Sequence, residues 1–401
     1  MKKIRLGIIG CGNIGSQHYS NVLEGKCPEI CVTAIADKNP DRLEWAKSIC
    51  ERYRAKNCDI PEVKLFSDDI ELMTSSLVDA VIIATPHFIH PTLAIEAFKH
   101  DLHVMCEKPA GVYTLQVREM IAEADRHPNL KFGVMFNQRT NCLYRKMKEI
   151  IDSGELGELK RSTWIITNWY RPQAYYDSGD WRATWSGEGG GVLLNQCPHN
   201  LDMWQWLCGM PVKVFAKMKF GKYHNIEVED DVVATVEYSN GAMGSFITST
   251  ADTPGTNRLE IVFDGGTLIC EGNQLILKKL NTRESVFSKE NTEVYARPEC
   301  EIINLETDGE NRQHSGVLNA FAASILRNEP LVADGREGIR ALMISNAMHL
   351  SAWLGKEIEI PFDEQLFKDL LDQRIQTSKN KENTKYVFSE FDKNHGNLCF
   401  F

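Results

Sequence analysis

The chain has 401 residues, of which 43% are hydrophobic and 25% charged, a composition typical of soluble globular proteins with room for two domains. Its formal net charge of −10, without a long basic run, argues against a nucleic-acid-binding surface. No apolar stretch approaches the roughly 20 residues of a membrane-spanning helix, and no signal-peptide pattern precedes the first strand, so we expect a cytoplasmic protein without nucleic-acid or membrane partners.

The first elements in the chain have the order strand, glycine turn, helix, strand. Ile4 to Ile9 is an apolar run, residues 10–15 match G-x-G-x-x-G, and a helical pattern follows to about Leu23. Dinucleotide-binding sites need this order, because a tight turn and a helix N-terminus together bind a pyrophosphate. A glycine-rich turn in an unrelated α/β protein is the alternative. The cofactor contacts predicted in this turn are Gly10, Cys11, Gly12, Asn13 and Ile14.

A second predicted strand, Val32 to Ala36, places Asp37 at its carboxyl end. A carboxylate at this position binds the adenosine ribose hydroxyls and repels a 2′-phosphate. The pattern therefore favours NAD over NADP as the cofactor.

Strand and helix patterns continue to alternate as far as residue 139. The predicted strands are 78–84, 102–106 and 130–135, and the predicted helices are 91–99 and 114–126. Such alternation indicates a parallel sheet, which binds ligands beyond the carboxyl ends of its strands. For His87 and His90, the alternative to a cofactor contact is that they are simple turn and helix-start residues. The cofactor contacts predicted at these strand ends are Thr85, Pro86, His87, His90, Glu107, Lys108 and Asn137.

Lys108 precedes Pro109 directly after a predicted buried strand. A residue before proline has extended backbone, so this lysine is fixed in direction and points into the cleft. With an ordinary pKa of about 10.4 it is a poor base, but burial and a nearby cation would both lower that pKa. Lys108 would then bind or deprotonate a hydroxyl; a solvated surface lysine is the alternative.

The stretch from Gly189 to Asp202 begins with three glycines and continues into an apolar run with helical periodicity. Asn195, His199 and Asp202 are spaced i, i+4 and i+7, which predicts that they share one helix face. An imidazole among amide and carboxylate groups can hold a substrate hydroxyl and accept its proton. A polar stripe satisfied within the fold is the alternative. Pro198 is expected to kink this helix.

Aromatic and charged side chains precede the triple glycine, and they suit a sugar ring with its apolar C–H patches and its hydroxyl rim. Aromatic packing at a domain junction is the alternative. His314, at the start of a later predicted helix, either caps that helix or reaches the substrate. The substrate contacts predicted outside the glycine-rich stretch are Trp169, Arg171, Trp181, Trp185 and His314.

The remaining sequence predicts an antiparallel sheet followed by helices. Consecutive strand patterns with hairpin turns at 239–241 and 264–266 run from 159 to 279. Residues 281–312 are predicted to be irregular, with helices at 139–152, 314–327 and 337–354. An exposed apolar sheet face would favour a homo-oligomer. The polar tail is expected to be disordered, with an apolar end that could dock on a neighbouring subunit.

The glycine turn with Asp37, then Glu-Lys-Pro at 107–109, then the triple glycine with His199 and Asp202 resemble the glucose–fructose oxidoreductase / inositol dehydrogenase (Gfo/Idh/MocA) family over residues 4–360. The resemblance implies an α/β fold with an NAD-binding Rossmann domain, here residues 1–137. It also implies an α+β domain for substrate binding and oligomerisation on an open, mostly antiparallel sheet, residues 138–375, before a polar tail, 376–401.

By motif position, Lys108 matches the family's active-site lysine and His199 its active-site histidine. Many members have Asp where this chain has Asn195, and Asn cannot transfer a proton, so Asn195 would only orient the substrate. In this family the region of Arg182 and Trp185 approaches the cofactor, which makes Arg182 a candidate cofactor contact. The Asn-Gln-Cys-Pro-His version of the motif resembles a branch that acts on glycosides and sugars.

We therefore predict an NAD-dependent oxidoreductase that oxidises a secondary hydroxyl of a sugar, glycoside or inositol. In this hypothesis His199 accepts the hydroxyl proton and Lys108 stabilises the developing alkoxide. A second hypothesis keeps this site but uses oxidation at C3 to permit elimination at C1, with NAD recycled. A third is a non-catalytic sensor of NAD and a metabolite. Cys27 and Cys31 are not accompanied by a second Cys/His pair, so no metal is predicted.

Overall fold

Two β-sheets of different kinds organise the computed structural model, which describes residues 3–379 and 381. The first sheet is entirely parallel. Its strands are β1 (Ile4–Ile9), β2 (Ile30–Ala36), β3 (Lys64–Phe66), β4 (Ala80–Ile83), β5 (His103–Cys106) and β6 (Phe132–Val134). They lie in the order β3-β2-β1-β4-β5-β6. The predicted Rossmann-type α/β domain is confirmed.

Five helices connect these strands: α1 (Asn13–Leu23), α2 (Pro40–Arg54), α3 (Asp69–Thr74), α4 (His90–Lys99) and α5 (Thr114–Arg126). No element was predicted for 40–74, where α2, β3 and α3 lie. The residues that α2 buries are Arg42, Ala46 and Cys50. So small and mixed a buried face leaves little helical periodicity in the sequence.

The strand registers bring the carboxyl ends of the first sheet to one edge. Ile9 pairs with Ala36 and with Ile83, Ile83 pairs with Cys106, and Cys106 pairs with Val134. The loops that follow these five strands therefore lie side by side. This edge is where parallel sheets bind their ligands.

The second sheet has nine strands and is antiparallel except where β7 and β10 pair in parallel. Its strands are β7 (Leu159–Ile166), β8 (Lys213–Phe220), β9 (Glu229–Glu237), β10 (Met243–Ser249), β11 (Asn257–Phe263), β12 (Gly266–Glu271), β13 (Gln274–Leu280), β14 (Cys300–Asn304) and β15 (Ile358–Glu359). The strand order is β14-β13-β12-β11-β7-β10-β9-β8-β15. This confirms the predicted open, mostly antiparallel sheet.

The described residues also form seven further helices: α6 (Cys142–Asp152), α7 (Gln173–Tyr176), α8 (Pro198–Cys208), α9 (Glu284–Glu290), α10 (Gln313–Arg327), α11 (Gly338–Leu354) and α12 (Glu364–Gln376). The predicted irregularity of 281–312 was wrong at two places, α9 and β14. The helix predicted from residue 139 begins at Cys142, because the Asn141 side chain caps it by accepting from the Leu143 N–H at 3.0 Å. No helix in the described part of the chain is long and apolar enough to span a bilayer.

Helix α10 modifies the proposed domain boundary. Its buried residues Val317, Leu318 and Phe321 belong to the same hydrophobic cluster as Leu6 and Tyr19 of the first domain. We keep the division near residue 137 as a proposal, but α10 packs as part of the first domain although it follows the second sheet in sequence.

The beginning of the predicted tail is packed against the protein. The Ser378 hydroxyl donates to a Glu227 carboxylate oxygen at 2.6 Å, and the Lys381 ammonium donates to the Tyr176 carbonyl at 2.7 Å. The prediction of disorder was therefore wrong for this short segment. The predicted docking of the apolar terminus, 397–401, lies outside the described residues.

Candidate active site

The glycine turn after β1 leaves open space above the N-terminus of α1. A Cβ on Gly15 would lie 1.9 Å from the Gly10 carbonyl oxygen, so helix and turn packing requires that glycine. Gly12 differs, because its φ of −68° is ordinary and a Cβ there would meet no protein atom within 4 Å. Neither backbone conformation nor packing explains Gly12. The open space beside Gly12 fits the close approach of a ligand phosphate.

Asp37 is held directly beside this turn. Its carboxylate accepts hydrogen bonds from the Cys11 N–H at 2.6 Å and the Asn39 N–H at 2.8 Å. Buried Arg42, which the sequence analysis missed, donates to the Cys11 carbonyl at 2.6 Å and lies over the Trp45 ring at 4.8 Å. The carboxylate thus has a fixed position at the end of β2, where a ribose would lie.

Several buried polar atoms at this sheet edge have no hydrogen-bond partner among the described residues. Buried polar groups are normally paired, so such a cluster fits a polar ligand. The atoms are Asn13 Oδ1, Thr85 Oγ1, His87 Nδ1 and Asn137 Oδ1. They belong to four of the predicted cofactor contacts, and they surround the same edge as the glycine turn. These residues fit a dinucleotide; Cys11, Ile14 and Pro86 remain predictions as neighbours in the same loops.

Glu107 has a different role from the predicted cofactor contact. One carboxylate oxygen pairs with His18 Nε2 at 2.7 Å, and the other accepts from the Lys108 N–H at 3.1 Å. Burial raises the pKa of Glu107, but the hydrogen bond with His18 together with the charges of His18, His314 and Lys108 outweighs this effect and lowers the pKa to about 2. Both oxygens are therefore engaged within the protein, and the pair fixes the backbone that carries Lys108.

The predicted cofactor role of His90 is contradicted by its hydrogen bonds. Its two ring nitrogens lie 2.9 Å from the Pro109 carbonyl and 2.6 Å from the Thr85 carbonyl. Both nitrogens are therefore engaged with backbone oxygens. His90 connects the loops after β4 and β5 and has no nitrogen left for a ligand.

Lys108 connects the two domains across the cleft. Its Nζ donates to the backbone carbonyl of Asn195 at 2.9 Å. Burial lowers the pKa of Lys108, against the opposing effect of the Glu107 and Glu188 carboxylates. The surface-lysine alternative is excluded, and the amine is held at the junction of the first sheet edge and the turn before α8.

The predicted single helix face was wrong. Helix α8 begins at Pro198, so Asn195 lies in the preceding turn rather than one helical turn before His199. Pro198 occupies the first position of the helix, where no N–H is needed, and therefore causes no interior kink. Asp202 is fully buried and forms a bidentate ion pair with Arg139 at 2.7 and 2.8 Å. It positions α8 and takes no part in the cleft.

His199 remains at the cleft as the second residue of α8. Burial lowers its pKa well below the ordinary value, and the nearby Lys108 charge lowers it further. Its Nδ1 is buried and has no hydrogen-bond partner within the described residues, while Phe136 packs edge-on at 6.4 Å. A neutral imidazole with an unpartnered nitrogen can accept a proton at neutral pH.

Comparison with known families agrees with this geometry. A model described as an oxidoreductase family with an NAD-binding Rossmann fold matches residues 4–136, and the GFO/IDH/MocA C-terminal domain matches residues 144–269. The chain belongs to the Gfo/Idh/MocA family. It is thus an NAD-binding oxidoreductase, as the glycine turn and Lys108 predicted.

Two relatives and one solved structure illustrate the similarity. The uncharacterized oxidoreductase YrbE of Bacillus subtilis is 24% identical over 374 residues, covering 91% of this chain and 99% of its own. The myo-inositol 2-dehydrogenase of Thermotoga maritima is 25% identical over 354 residues, covering 86% and 95%. The WlbA dehydrogenase of Bordetella pertussis, solved with NADH and UDP-GlcNAcA, is 26% identical with a TM-score of 0.76, covering 90% and 99%.

Gly12 provides a direct test of NAD binding by this family member. We expect Gly12→Val to weaken NADH binding by about 100-fold or more, because the side chain would occupy the space left for the phosphates. Its thermal unfolding should match wild type, since no protein atom lies within 4 Å of the new Cβ. Fluorescence titration with NADH measures the first effect and calorimetry the second. Gly15→Ala, in contrast, should lower the unfolding temperature; unchanged NADH affinity in Gly12→Val would contradict this placement.

The buried Glu229 carboxylate holds the triple-glycine turn by hydrogen bonds to its backbone. Glu229 accepts from the Gly191 N–H at 2.9 Å and the Leu193 N–H at 3.0 Å, and pairs with His349 Nε2 at 3.0 Å. Gly191 is required here, because a Cβ would lie 2.1 Å from the Glu229 carbonyl oxygen. The turn that leads into α8 is therefore rigidly seated on β9 of the family's C-terminal domain.

Residues 168–182, which are rich in aromatic side chains, form one side of the cleft around Tyr175. This segment is called the aromatic wall below. The Arg171 and Arg182 guanidinium groups lie over its ring at 5.0 and 4.6 Å, and Arg182 also donates to its hydroxyl at 2.9 Å. Trp181 packs edge-on to His87 at 5.8 Å, which places the Trp181–Arg182 pair beside the cofactor edge. Tyr175 itself was not among the predicted site residues.

Trp185 does not belong to this wall. Its side chain is buried, and its ring packs with Phe220 at 5.9 Å, Trp353 at 5.8 Å and His349 at 6.2 Å. Trp185 is therefore a packing residue, as the alternative prediction said, but it packs within the second domain and not at a domain junction. Trp169 remains a candidate substrate contact, with its indole N–H donating to Asn200 Oδ1 at 3.2 Å.

His314 packs against His18, near Lys108 and His199, and is not part of the aromatic wall. Its ring packs edge-on to His18 at 5.4 Å, and its charge would influence both Glu107 and His199. Burial lowers the pKa of His314 to about 4. It is therefore neutral at physiological pH, and contact with a substrate remains a prediction.

Proposed function

We propose that this protein oxidises a secondary hydroxyl of a sugar, glycoside or inositol with NAD as the cofactor, and that a sugar or glycoside substrate is oxidised at C3 to a 3-keto product. The observation that supports it most is the convergence of Lys108 and His199 beside the sheet edge that carries Gly12 and Asp37. The named relatives supply the substrate class. One is a myo-inositol 2-dehydrogenase, and WlbA was solved with a nucleotide sugar, so both handle polyhydroxylated rings.

His199 and Lys108 have complementary roles in this reaction. Neutral His199 accepts the proton of the substrate hydroxyl, while Lys108 donates a hydrogen bond to the same oxygen as negative charge develops there. Asn195 orients the substrate through its side-chain oxygen. When bound, NAD supplies the acceptor for the hydride that leaves the substrate carbon.

The aromatic wall provides groups that suit a sugar. The buried Nε of Arg171 and the buried Oδ1 of Asn168 have no hydrogen-bond partner among residues 3–379 and 381. A donor and an acceptor of this kind match the hydroxyls of a ring. The face of Trp169 offers the apolar surface that C–H groups need. We include Trp181 in this wall and assign Arg182 to the border with the cofactor.

The first experiment is a substrate panel with purified protein. Inositols, free aldoses and methyl glycosides are each incubated with NAD, while NADH absorbance and chromatography of the sugar are followed together. Accumulating NADH with a keto product supports the proposal. A methyl glucoside deuterated at C3 should then react several-fold more slowly than its protiated form if C3 is oxidised, whereas deuterium at C2 should have little effect.

Other outcomes of the panel point to the remaining hypotheses. Sugar turnover without net NADH would indicate oxidation followed by elimination with recycled cofactor. If no compound is oxidised or cleaved while NADH binding is intact, the sensor hypothesis would be favoured. The presence of both Lys108 and His199 argues against that last outcome, because a sensor needs no proton acceptor.

Asp37 is proposed to determine the preference for NAD. We expect Asp37→Ser to raise the ratio of kcat/KM for NADP to that for NAD by about tenfold or more, because a carboxylate near a 2′-phosphate costs at least about 1.4 kcal/mol. Steady-state kinetics with both cofactors measure the ratio. Asp41→Ser, an exposed carboxylate in the first turn of α2, is the matched control and should leave the ratio unchanged. An unchanged ratio in Asp37→Ser would exclude this role.

The open face of the second sheet supports a proposed homo-oligomer. Apolar side chains on this face include Val233, Met243 and Ile302, which are 49%, 58% and 65% exposed. Burial of such a face between two copies would stabilise both. We also propose a cytoplasmic location, since the cysteines in the described part of the chain are free thiols.

A further inference from the structure

Glu188 is a buried carboxylate that the sequence analysis did not single out. It is 2% exposed and lies directly before the triple glycine. One carboxylate oxygen accepts from the Ala183 N–H at 2.6 Å, and the other accepts from the side-chain amide of Asn195. Within the described residues no Lys or Arg forms an ion pair with it. Its hydrogen bonds therefore come from one backbone N–H and one amide.

This contact determines which way the Asn195 amide faces. An ionised carboxylate can only accept hydrogen bonds, so the amide must direct its NH₂ group towards Glu188. The amide oxygen then faces the opposite side, where the Tyr175 hydroxyl lies at 3.4 Å. Burial raises the pKa of Glu188 above its ordinary value, although the Arg182 charge and the two hydrogen bonds oppose that effect.

Asn195 is also the residue whose backbone carbonyl receives the Lys108 amine. The main chain of Asn195 therefore holds the Lys108 amine, and its side chain contacts Tyr175 in the aromatic wall. A rotated amide would present NH₂ to Tyr175 and leave the Glu188 carboxylate facing an oxygen. Two facing acceptors in a buried site are unfavourable, so Glu188 selects one of the two amide orientations.

We propose that Glu188 is a positioning residue that locks Asn195 with its side-chain oxygen towards the substrate, so that the group recognised there is a hydroxyl donor. This inference rests on the proposed function, because it assigns a partner to the substrate. The site can then work with Asn at a position where many family members have Asp. In this site the carboxylate belongs to Glu188, and it affects the substrate only by fixing the orientation of the Asn195 amide.

An exchange of the two side-chain types tests this proposal. In Glu188→Gln the glutamine oxygen accepts from the Ala183 N–H, so its NH₂ group faces Asn195 and favours the rotated amide, and we expect kcat/KM to fall by about tenfold. Asn195→Asp places two buried carboxylates in contact, and we expect a fall of about 100-fold, with a pH profile displaced to higher pH as one carboxyl takes up a proton. The double variant Glu188→Gln/Asn195→Asp restores one amide and one carboxylate with the hydrogen bond reversed.

In the double variant the glutamine amide introduced at position 188 donates to the aspartate introduced at position 195, whose second oxygen still faces Tyr175 as an acceptor. We expect kcat/KM within about threefold of wild type and a restored pH profile, which is strong non-additivity between neighbours. Glu227→Gln is the matched control, because Glu227 bonds the Trp185 N–H of the same loop without touching Asn195. It should change kcat/KM by less than about twofold.

Thermal unfolding of the same proteins separates this inference from the proposed function. Recovery of the unfolding temperature in the double variant, relative to Asn195→Asp, supports the pairing even if no panel sugar is oxidised. Failure to oxidise any panel sugar would reject only the proposed function. A double variant whose losses equal the combined losses of the single variants, in stability and in kcat/KM, would overturn the inference. So would wild-type kinetics in Glu188→Gln.

Discussion

Replacement of Lys108 by methionine is expected to lower kcat by about 10³-fold while leaving the fold and NADH binding intact. The amine is the hydrogen-bond donor at the hydroxyl oxygen, and loss of one preorganised donor to a developing oxyanion costs about 10²- to 10³-fold. Methionine fills the same volume without a charge, so the buried site loses no packing and no longer has to desolvate an ammonium. Stopped-flow turnover of the panel sugar and fluorescence titration with NADH measure the two quantities.

Lys64→Met is the matched control for this substitution. Lys64 belongs to the same sheet but is exposed on β3, so its loss should leave kcat unchanged. A Lys108→Met protein with near-wild-type kcat would exclude Lys108 from the chemistry. Loss of NADH binding in that variant would instead assign it to the cofactor.

Replacement of His199 by asparagine should lower kcat by about 10²- to 10⁴-fold and change the pH profile. Burial and the Lys108 charge lower the pKa of His199, so the imidazole is neutral and able to accept a proton at pH 7. Wild-type kcat/KM should therefore be constant near neutrality. It should fall only as the pH drops through that lowered pKa, below the ordinary histidine value of about 6.5.

The asparagine side chain has no titrating group, so the acidic limb should disappear in His199→Asn. The comparison needs a pH range in which the protein stays folded, which circular dichroism at each pH establishes. An acidic limb that persists in His199→Asn would show that another group, such as His314 with its pKa of about 4, governs the profile. The histidine at this position would then have a binding role only.

Much of the first domain was predictable because its signals are local. The turn after β1 needs a glycine where Gly15 meets the Gly10 carbonyl, and Asp37 follows directly from the end of β2. Lys108 was predictable for the same reason, since a buried strand and Pro109 fix its direction. The backbone position of each of these residues is determined by residues close to it in sequence.

Helix α8 shows where a local pattern was insufficient. The spacing of Asn195, His199 and Asp202 fits a helix, and Pro198 fits either an interior kink or a helix start. The choice depends on the turn before it, which is seated on Glu229 of a distant strand. The spacing therefore singled out His199, whose catalytic role stays a prediction, but it assigned Asn195 to the helix and left the Arg139 partner of Asp202 unrecognised.

The sequence by itself determined the Rossmann turn, the parallel and antiparallel sheets, and the Lys108 and His199 pair, because backbone conformation and hydrophobic period are local properties. Only the tertiary structure decided the polar pairing around them. His18 meets Glu107 across 89 residues, and Lys108 meets the Asn195 carbonyl across 87. Each buried charge needs a partner, yet any of many residues of suitable type could supply it, and the fold alone selects which one lies within reach.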